Sequence, residues 1–288
     1  MSERVYKVVS RTITLDSFKD GIKIYFFGDV HRFTKSCDEE RWRRFLNTAK
    51  REMDKNTYFM GMGDYADFAS TSEQKALKDG MHAQTMVDFG DMVKKRNRVS
   101  AIEMSFMKPN VLGLIDGNHT WLFEDGTTAT EDLAGRLGTE YLGWLCHFTL
   151  KINTPRKSPE AIIHIVACHG KSGGGKTAGL TINQVDDLRN IFPIADIYCL
   201  GHDHQRAARP VSILVPTADN KGNIIIKQKR QFLCRSGSFK KAYVPDSGAY
   251  EVGRLLRPAD LGALEIDIEL RRDETEGDRT VVEMKGIV

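Results

Sequence analysis

Short apolar runs recur along the chain, each closed by a glycine or a charged or polar residue. Ile22 to Phe27, Thr57 to Met62, Val111 to Ile115, Ala161 to Ala167 and Ile197 to Leu200 all have the length and composition of buried β-strands. Between them the periodicity changes. Trp42, Phe45, Leu46, Ala49 and Met53 fall at helical spacing behind Ser36-Cys37-Asp38-Glu39, which has the form of a capping box. From Ser72 to Met107 the composition is helical and methionine-rich, with Gly80 and Gly90 expected to break it and Pro109 to end it. Glu124 to Gly138 reads as loop and short helix. Leu145 to Ile152 reads as a further strand, with Thr154 to Pro159 as its turn. Ile182, Val185, Leu188 and Ile191 form one stripe of a helix that Pro193 closes. Further on, Ser212 to Val215 and Asn223 to Lys227 suggest a hairpin around Asp219-Asn220-Lys221-Gly222, and Gln231 to Cys234 and Leu264 to Leu270 suggest further strands. The lead before Ile22 is polar. Strand and helix alternate, which points to a single α/β domain over 1–288 with a β-rich C-terminal part, 210–288, packed on it.

Composition narrows this little. With 41% hydrophobic and 28% charged residues in 288, the chain can bury a sizeable core. No apolar run approaches the roughly 18–20 residues of a membrane span, and no apolar signal core stands at the N-terminus, so a cytoplasmic protein with no membrane partner is expected. Five cysteines without a C-x-x-C pair fit a reducing compartment. The net charge of +3 neither proves nor opposes a nucleic-acid partner; the basic segments 41–51 and 94–98 tilt weakly toward one.

The chemistry lies where the apolar runs end. Ile197 to Leu200 leaves through Gly201-His202-Asp203-His204, and in extended backbone side chains two apart point to the same side, so both imidazoles can reach one spot. Neutral imidazole is a common metal ligand. Asp29 and His31 repeat that spacing after the first run. Asp64 follows the second, Asn118 and His119 the third, and His169 the fourth. Ligand sites in open α/β sheets form just outside the carboxyl ends of strands, so five such ends can converge on one place.

The set G-D-x-H, G-D-x-x-D, G-N-H, H-G and G-H-x-H, from Gly28 to His204, resembles the calcineurin-like metallophosphoesterase superfamily. It looks closer to the nuclease and phosphodiesterase branches than to the protein phosphatases, whose longer second and third motifs Gly63 to Asp67 and Gly117 to Thr120 do not extend to. The glycine-rich continuation after His169 also resembles phage-encoded members, for which the host cytoplasm would be the compartment. The resemblance implies a four-layer α-β-β-α sandwich of two mixed β-sheets flanked by helices. It implies two divalent ions, the first held by Asp29, His31 and His204, the second by Asn118, His169 and His202, with Asp64 bridging. Mixed nitrogen and oxygen ligands suit Mn, Fe, Zn or Co, with Mn the expected ion. Two such ions about 3.5–4 Å apart clamp a phosphate and activate water for in-line attack. The implied substrate is a phosphoester, most naturally a phosphodiester in DNA, RNA or a nucleotide. His119 would act at the leaving oxygen as the catalytic residue, and Arg32, Lys171 and Lys176 are candidate substrate contacts. Where the family usually places an acid to orient that histidine, this chain has Thr120; Asp67, Asp116 or Asp125 could supply the carboxylate.

Three other readings compete. Gly170 to Thr177 satisfies the G-x-x-x-x-G-K-[ST] phosphate loop of nucleotide triphosphatases, although only Asp196 offers itself as a second acidic motif, on a weak apolar lead. A phosphomonoesterase acting on small molecules or phosphoproteins would use the same ligands, and a non-catalytic binding protein could keep the fold. His82, His147 and His164 belong to no motif and are expected to be packing or surface residues. If His119 is the proton donor, His119→Ala retains both metals by elemental analysis and loses most turnover; full activity in that variant would remove it from the mechanism.

Overall fold

The computed structural model describes residues 5–155, 157–170, 178–219, 221–245, 252–253, 255, 257–273 and 279–288. Among the described residues, eleven strands form two sheets. The first has six, in the order β1 (Tyr6–Thr14), β5 (Leu145–Thr154), β6 (Lys157–Cys168), β7 (Ile197–Leu200), β9 (Ile224–Ser236) and β8 (Arg206–Ala218). The second has five, in the order β11 (Arg279–Ile287), β10 (Leu264–Asp273), β2 (Ile22–Phe27), β3 (Thr57–Gly61) and β4 (Val111–Leu114). Both are mixed, and each contains a parallel trio: β6, β7 and β9 in one, β2, β3 and β4 in the other.

The continuous apolar runs are explained by burial on both faces. In β2, Ile24 and Phe26 enter the core between the sheets, while Tyr25 and Phe27 pack under α1 (Glu39–Glu52), where Trp42 and Leu46 meet them. β7 divides the same way. Ile197 and Cys199 face the other sheet, and Tyr198 and Leu200 face Val185 and Leu188 of α5 (Ala178–Ile191). The layers are therefore helix, sheet, sheet, helix, the sandwich expected. α4 (Ala129–Leu137) adds Leu133 and Leu137 to the α1 side. α2 (Thr71–Gly80) and α3 (Ala83–Glu103) follow β3, and Val93 of α3 packs with Phe68 and Trp121 beside the ends of β3 and β4.

Several local expectations are corrected. α1 is capped by Asp38, whose side chain accepts from the Arg41 amide, so the Ser36–Glu39 box is not used; the reciprocal capping box stands at Ser70 and Glu73 before α2. The helical region breaks at Met81 and His82, but α3 runs through Gly90, where a side chain would meet only ordinary contact with Phe123. A single glycine costs a helix only about 1 kcal/mol, which flanking packing covers. The hairpin is longer than its apolar centre suggested, and Gln231 to Cys234 is the buried end of β9 rather than a separate strand. β1 and β11 were not foreseen. Both are edge strands with only one face partly covered, so neither shows a full apolar run. Of the extra histidines, His82 caps α3, and His147 and His164 meet each other on the sheet, 3.3 Å apart. No described helix is long and apolar enough to cross a membrane.

Phe148 is wholly buried in the core between the sheets. Phe148→Ala should lower unfolding stability by about 3–5 kcal/mol, read as a shift of the denaturant midpoint without a change of slope.

Candidate metal centre

Parallel pairing brings the carboxyl ends of β2, β3 and β4 side by side, and those of β6, β7 and β9 likewise. Cross-strand bonds continue past the strand ends: the Asp29 amide donates to the Gly63 carbonyl at 2.9 Å, the His31 amide to the Asp64 carbonyl at 3.0 Å, and the Ile115 amide to the Gly61 carbonyl at 2.9 Å. The turns themselves are strained. Asp29 (φ 48°), His31 (48°), Asp64 (51°), His202 (72°) and His204 (58°) all occupy the left-handed region without being glycine. Each such residue costs on the order of 1–3 kcal/mol and persists only where its surroundings over-determine it. Five of the seven residues expected to bind metal are held this way. Where strain alone would not suffice, glycine is used: a Cβ on Gly117 would stand 2.0 Å from Asp64 Oδ1.

All seven residues meet. Asp29, His31 and His204 form one group, with His204 Nε2 3.6 Å from Asp29 Oδ1. Asp64, His169 and His202 form a second, with His169 Nε2 3.2 Å from Asp64 Oδ2. Asn118 Oδ1 joins the second at 2.9 Å from His169 Nε2 and 2.8 Å from His202 Nδ1. Ligands about 2.1 Å from a shared ion stand about 3.0–3.4 Å apart at octahedral or tetrahedral angles, close to these spacings. Asp64 Oδ2 also lies 3.8 Å from His31 Nε2, so its carboxylate touches both groups. Buried polar atoms with no hydrogen-bond partner include Asp29 Oδ1 and His31 Nε2, both aimed into the first group. The opposite ring nitrogens are engaged: His31 Nδ1 donates to Asp67 Oδ2 at 3.0 Å, and His169 Nδ1 to the Met62 carbonyl at 2.8 Å. Metal-ligating histidines are typically oriented in this way. The residues present fit divalent cations.

The electrostatics agree. Burial pushes the Asp29 carboxyl up to about 7, while Asp64, equally buried, is held well below the usual carboxylate range by His169, His119 and His31. Burial lowers His31, His202 and His204, favouring the neutral imidazole that a metal needs. Burial lowers His169 too, but Asp64, Asp29 and the Met62 carbonyl together outweigh it and raise the imidazole to about 9.

Asp67 is the carboxylate that Thr120 lacks. Its Oδ1 accepts from His119 Nδ1 at 2.7 Å while its Oδ2 holds His31. Asp116 instead accepts from Tyr141 and the Gly117 amide, and the exposed Asp125 from Thr127. Desolvation lowers His119, but Asp67 and Asp64 together raise it above the ordinary imidazole value. Thr120 bonds to Thr130.

Arg32 is not directed into the centre: its guanidinium is tied to Glu39 and Glu103. Lys171 and Lys176, with the rest of the phosphate-loop pattern after Gly170, lie outside the described residues. Asp196 precedes β7, away from the centre, where it accepts from the His164 amide and pairs with Lys229. A sixth segment was missed altogether. After β9 the chain turns so that Ser238 Oγ and the Phe239 amide donate to the Asp29 carbonyl at 2.9 and 3.0 Å, bringing Lys240 close enough for its charge to disfavour protonation of His31, His119 and His204. No metal-capable residue marks that strand end, so spacing could not have found it.

No protein-family model and no curated protein match the sequence. Similar solved structures include Vps29 from Chaetomium thermophilum (10% identity, TM-score 0.35, covering 93% of this chain and 98% of that one). A predicted phosphoesterase from Streptococcus pneumoniae has 10% identity and a TM-score of 0.34, covering 92% of this chain and 99% of that one. A 5'-nucleotidase precursor from Thermus thermophilus has 11% identity and a TM-score of 0.34, covering 93% of this chain and 54% of that one. Scores this low carry no inference, and the functional reading stands on the residues of the centre.

Gly117→Ala should force Asp64 out of place and weaken divalent-ion binding at least about tenfold in calorimetric titration with Mn²⁺. Gly135→Ala, whose added carbon meets nothing within 4 Å, should leave binding unchanged.

Proposed function

We propose that this chain is a metal-dependent phosphohydrolase of the calcineurin-like metallophosphoesterase superfamily, cleaving a phosphodiester in a nucleotide or nucleic acid. The observation that carries the reading is the pair of adjoining groups, Asp64 of the second standing 3.8 Å from His31 of the first, with unpartnered buried atoms aimed into the first. Bound divalent ions, Mn²⁺ foremost, would supply Lewis-acid charge to a phosphoryl oxygen and to the attacking water.

The chain's own residues supply the rest. Two carboxylates, Asp29 and Asp64, against two divalent ions leave an excess of positive charge suited to an anionic substrate, and Lys240 adds to it. His119 is partly exposed, with 20% of its side chain accessible, so a substrate can reach it. Its Nδ1–H is committed to Asp67, which leaves Nε2–H to protonate the departing oxygen. Because Asp67 also orients His31, one carboxylate sets both a metal ligand and the acid. On the basic face of α1, Arg41, Arg43 and Arg44 each pair with an acid of their own helix or its cap. Arg96 instead stacks on Phe33, two residues from His31, at 4.6 Å from the ring centre.

Mn²⁺-loaded protein should cleave bis-p-nitrophenyl phosphate faster than p-nitrophenyl phosphate, and a chelator should abolish both. Monoester preference would select the phosphatase alternative, and silence on both would support a binding protein. Since Asp67 raises the pKa of His119, turnover should fall on the alkaline side as His119 loses its proton. Asp67→Asn should move that limb to lower pH, and an unmoved limb would exclude the pairing from catalysis.

A further inference from the structure

Arg235 is the only arginine among the largest fully buried side chains of the described residues, with 1% of its surface exposed. It stands opposite Leu200 in the parallel pairing of β9 with β7, beside the point where the chain enters Gly201-His202-Asp203-His204. Its guanidinium is shared between that turn and α5. Nη1 donates to the Gly201 carbonyl at 3.0 Å, Nε donates to the Thr181 carbonyl at 2.9 Å and lies 3.3 Å from Asp203 Oδ2, and Nη2 donates to Gln184 Oε1 at 2.6 Å. Asp203, the residue between the two histidines, is itself buried and caps the next turn by accepting from the Gln205 amide at 3.1 Å.

A buried guanidinium is a poor way to fill space, because an apolar side chain of similar volume would do so without desolvating a charge. What it adds is direction: a rigid planar fork fixes several acceptors at once. The turn it grips has both histidines in the left-handed region, a conformation that needs outside support. Those histidines also belong to different groups, His204 with Asp29 and His31, His202 with Asp64 and His169.

We propose that Arg235 is a positioning residue for both halves of the centre, clamping the Gly201–His204 turn to α5 so that His202 and His204 each face their own ion. This rests on the reading of the centre as binuclear. A single buried side chain, remote in sequence from every ligand motif, then sets the affinity of two ions together.

The test is Co²⁺ titration of metal-free protein, followed by calorimetry and by the visible ligand-field spectrum, with the unfolding midpoint measured alongside. Wild-type protein should bind two ions. Arg235→Met should weaken both affinities about 10–100-fold and alter the spectrum of the residual complex, the usual effect of losing a partner that orients ligands. Arg235→Lys should fall nearly as far, since it keeps the charge but not the fork. A merely structural role would lower the midpoint and leave the spectrum of the folded protein unchanged. Either variant folded with both affinities within about twofold of wild type, or with only one changed, overturns the proposal. Should neither fold, Gln184→Ala decides: a joint several-fold loss supports the clamp, and unchanged affinities overturn it. Wild-type protein that takes up no ion overturns the binuclear reading and the clamp with it.

Discussion

The carboxylate of Asp64 is the contact on which the arrangement depends. It lies 3.2 Å from His169 and 3.8 Å from His31, and its other oxygen accepts the His119 amide at 2.9 Å. Residues from both sheets therefore meet at one group. With no water to screen it, an isolated buried carboxylate would take up a proton. Here the surrounding imidazoles hold it well below the usual carboxylate range. The two parallel trios of strands exist on either side of that point, and their carboxyl ends converge there.

The same economy runs through the supporting residues. Asp67 holds His31 with one oxygen and His119 with the other. Asp29 contributes one oxygen to the first group, while its second accepts the His202 amide at 2.9 Å, tying the end of β2 to the end of β7. Gly117 leaves room for Asp64, and the Asp29 carbonyl anchors the segment carrying Lys240. Bonds between turns from different strands, rather than any one turn, keep five non-glycine residues in the left-handed region. A centre built this way is pre-organised by its scaffold, and changes well away from it can alter its chemistry.

Burial on both faces gave β2, β3 and β7 uninterrupted apolar runs, so these strands were legible in the chain, and with them the histidines and carboxylates that follow each run. α1 and α5 were legible from their apolar stripes. The edge strands β1 and β11 were not, because they pack on one side only. The capping residue of α1 was misplaced because Ser36 and Asp38 are both N-cap residue types, and only the backbone decides which one meets an amide. Arg32 is one of the candidate substrate contacts named from the sequence. The side chain turns instead toward Glu103, 71 residues further along the chain.

Residue type and local spacing by themselves determined which side chains stand at the cluster, since a strand end followed by Asp-x-His or His-x-His is a property of neighbouring residues. Tertiary structure decided how they combine: the order of strands that brings five ends together, the choice of Asp67 over Asp116 and Asp125, and the recruitment of Lys240 and Arg235. Those choices depend on distances across sheets between residues as many as 209 positions apart, as Ser238 is from Asp29. Pairing and packing set such distances, and short-range periodicity carries no record of them.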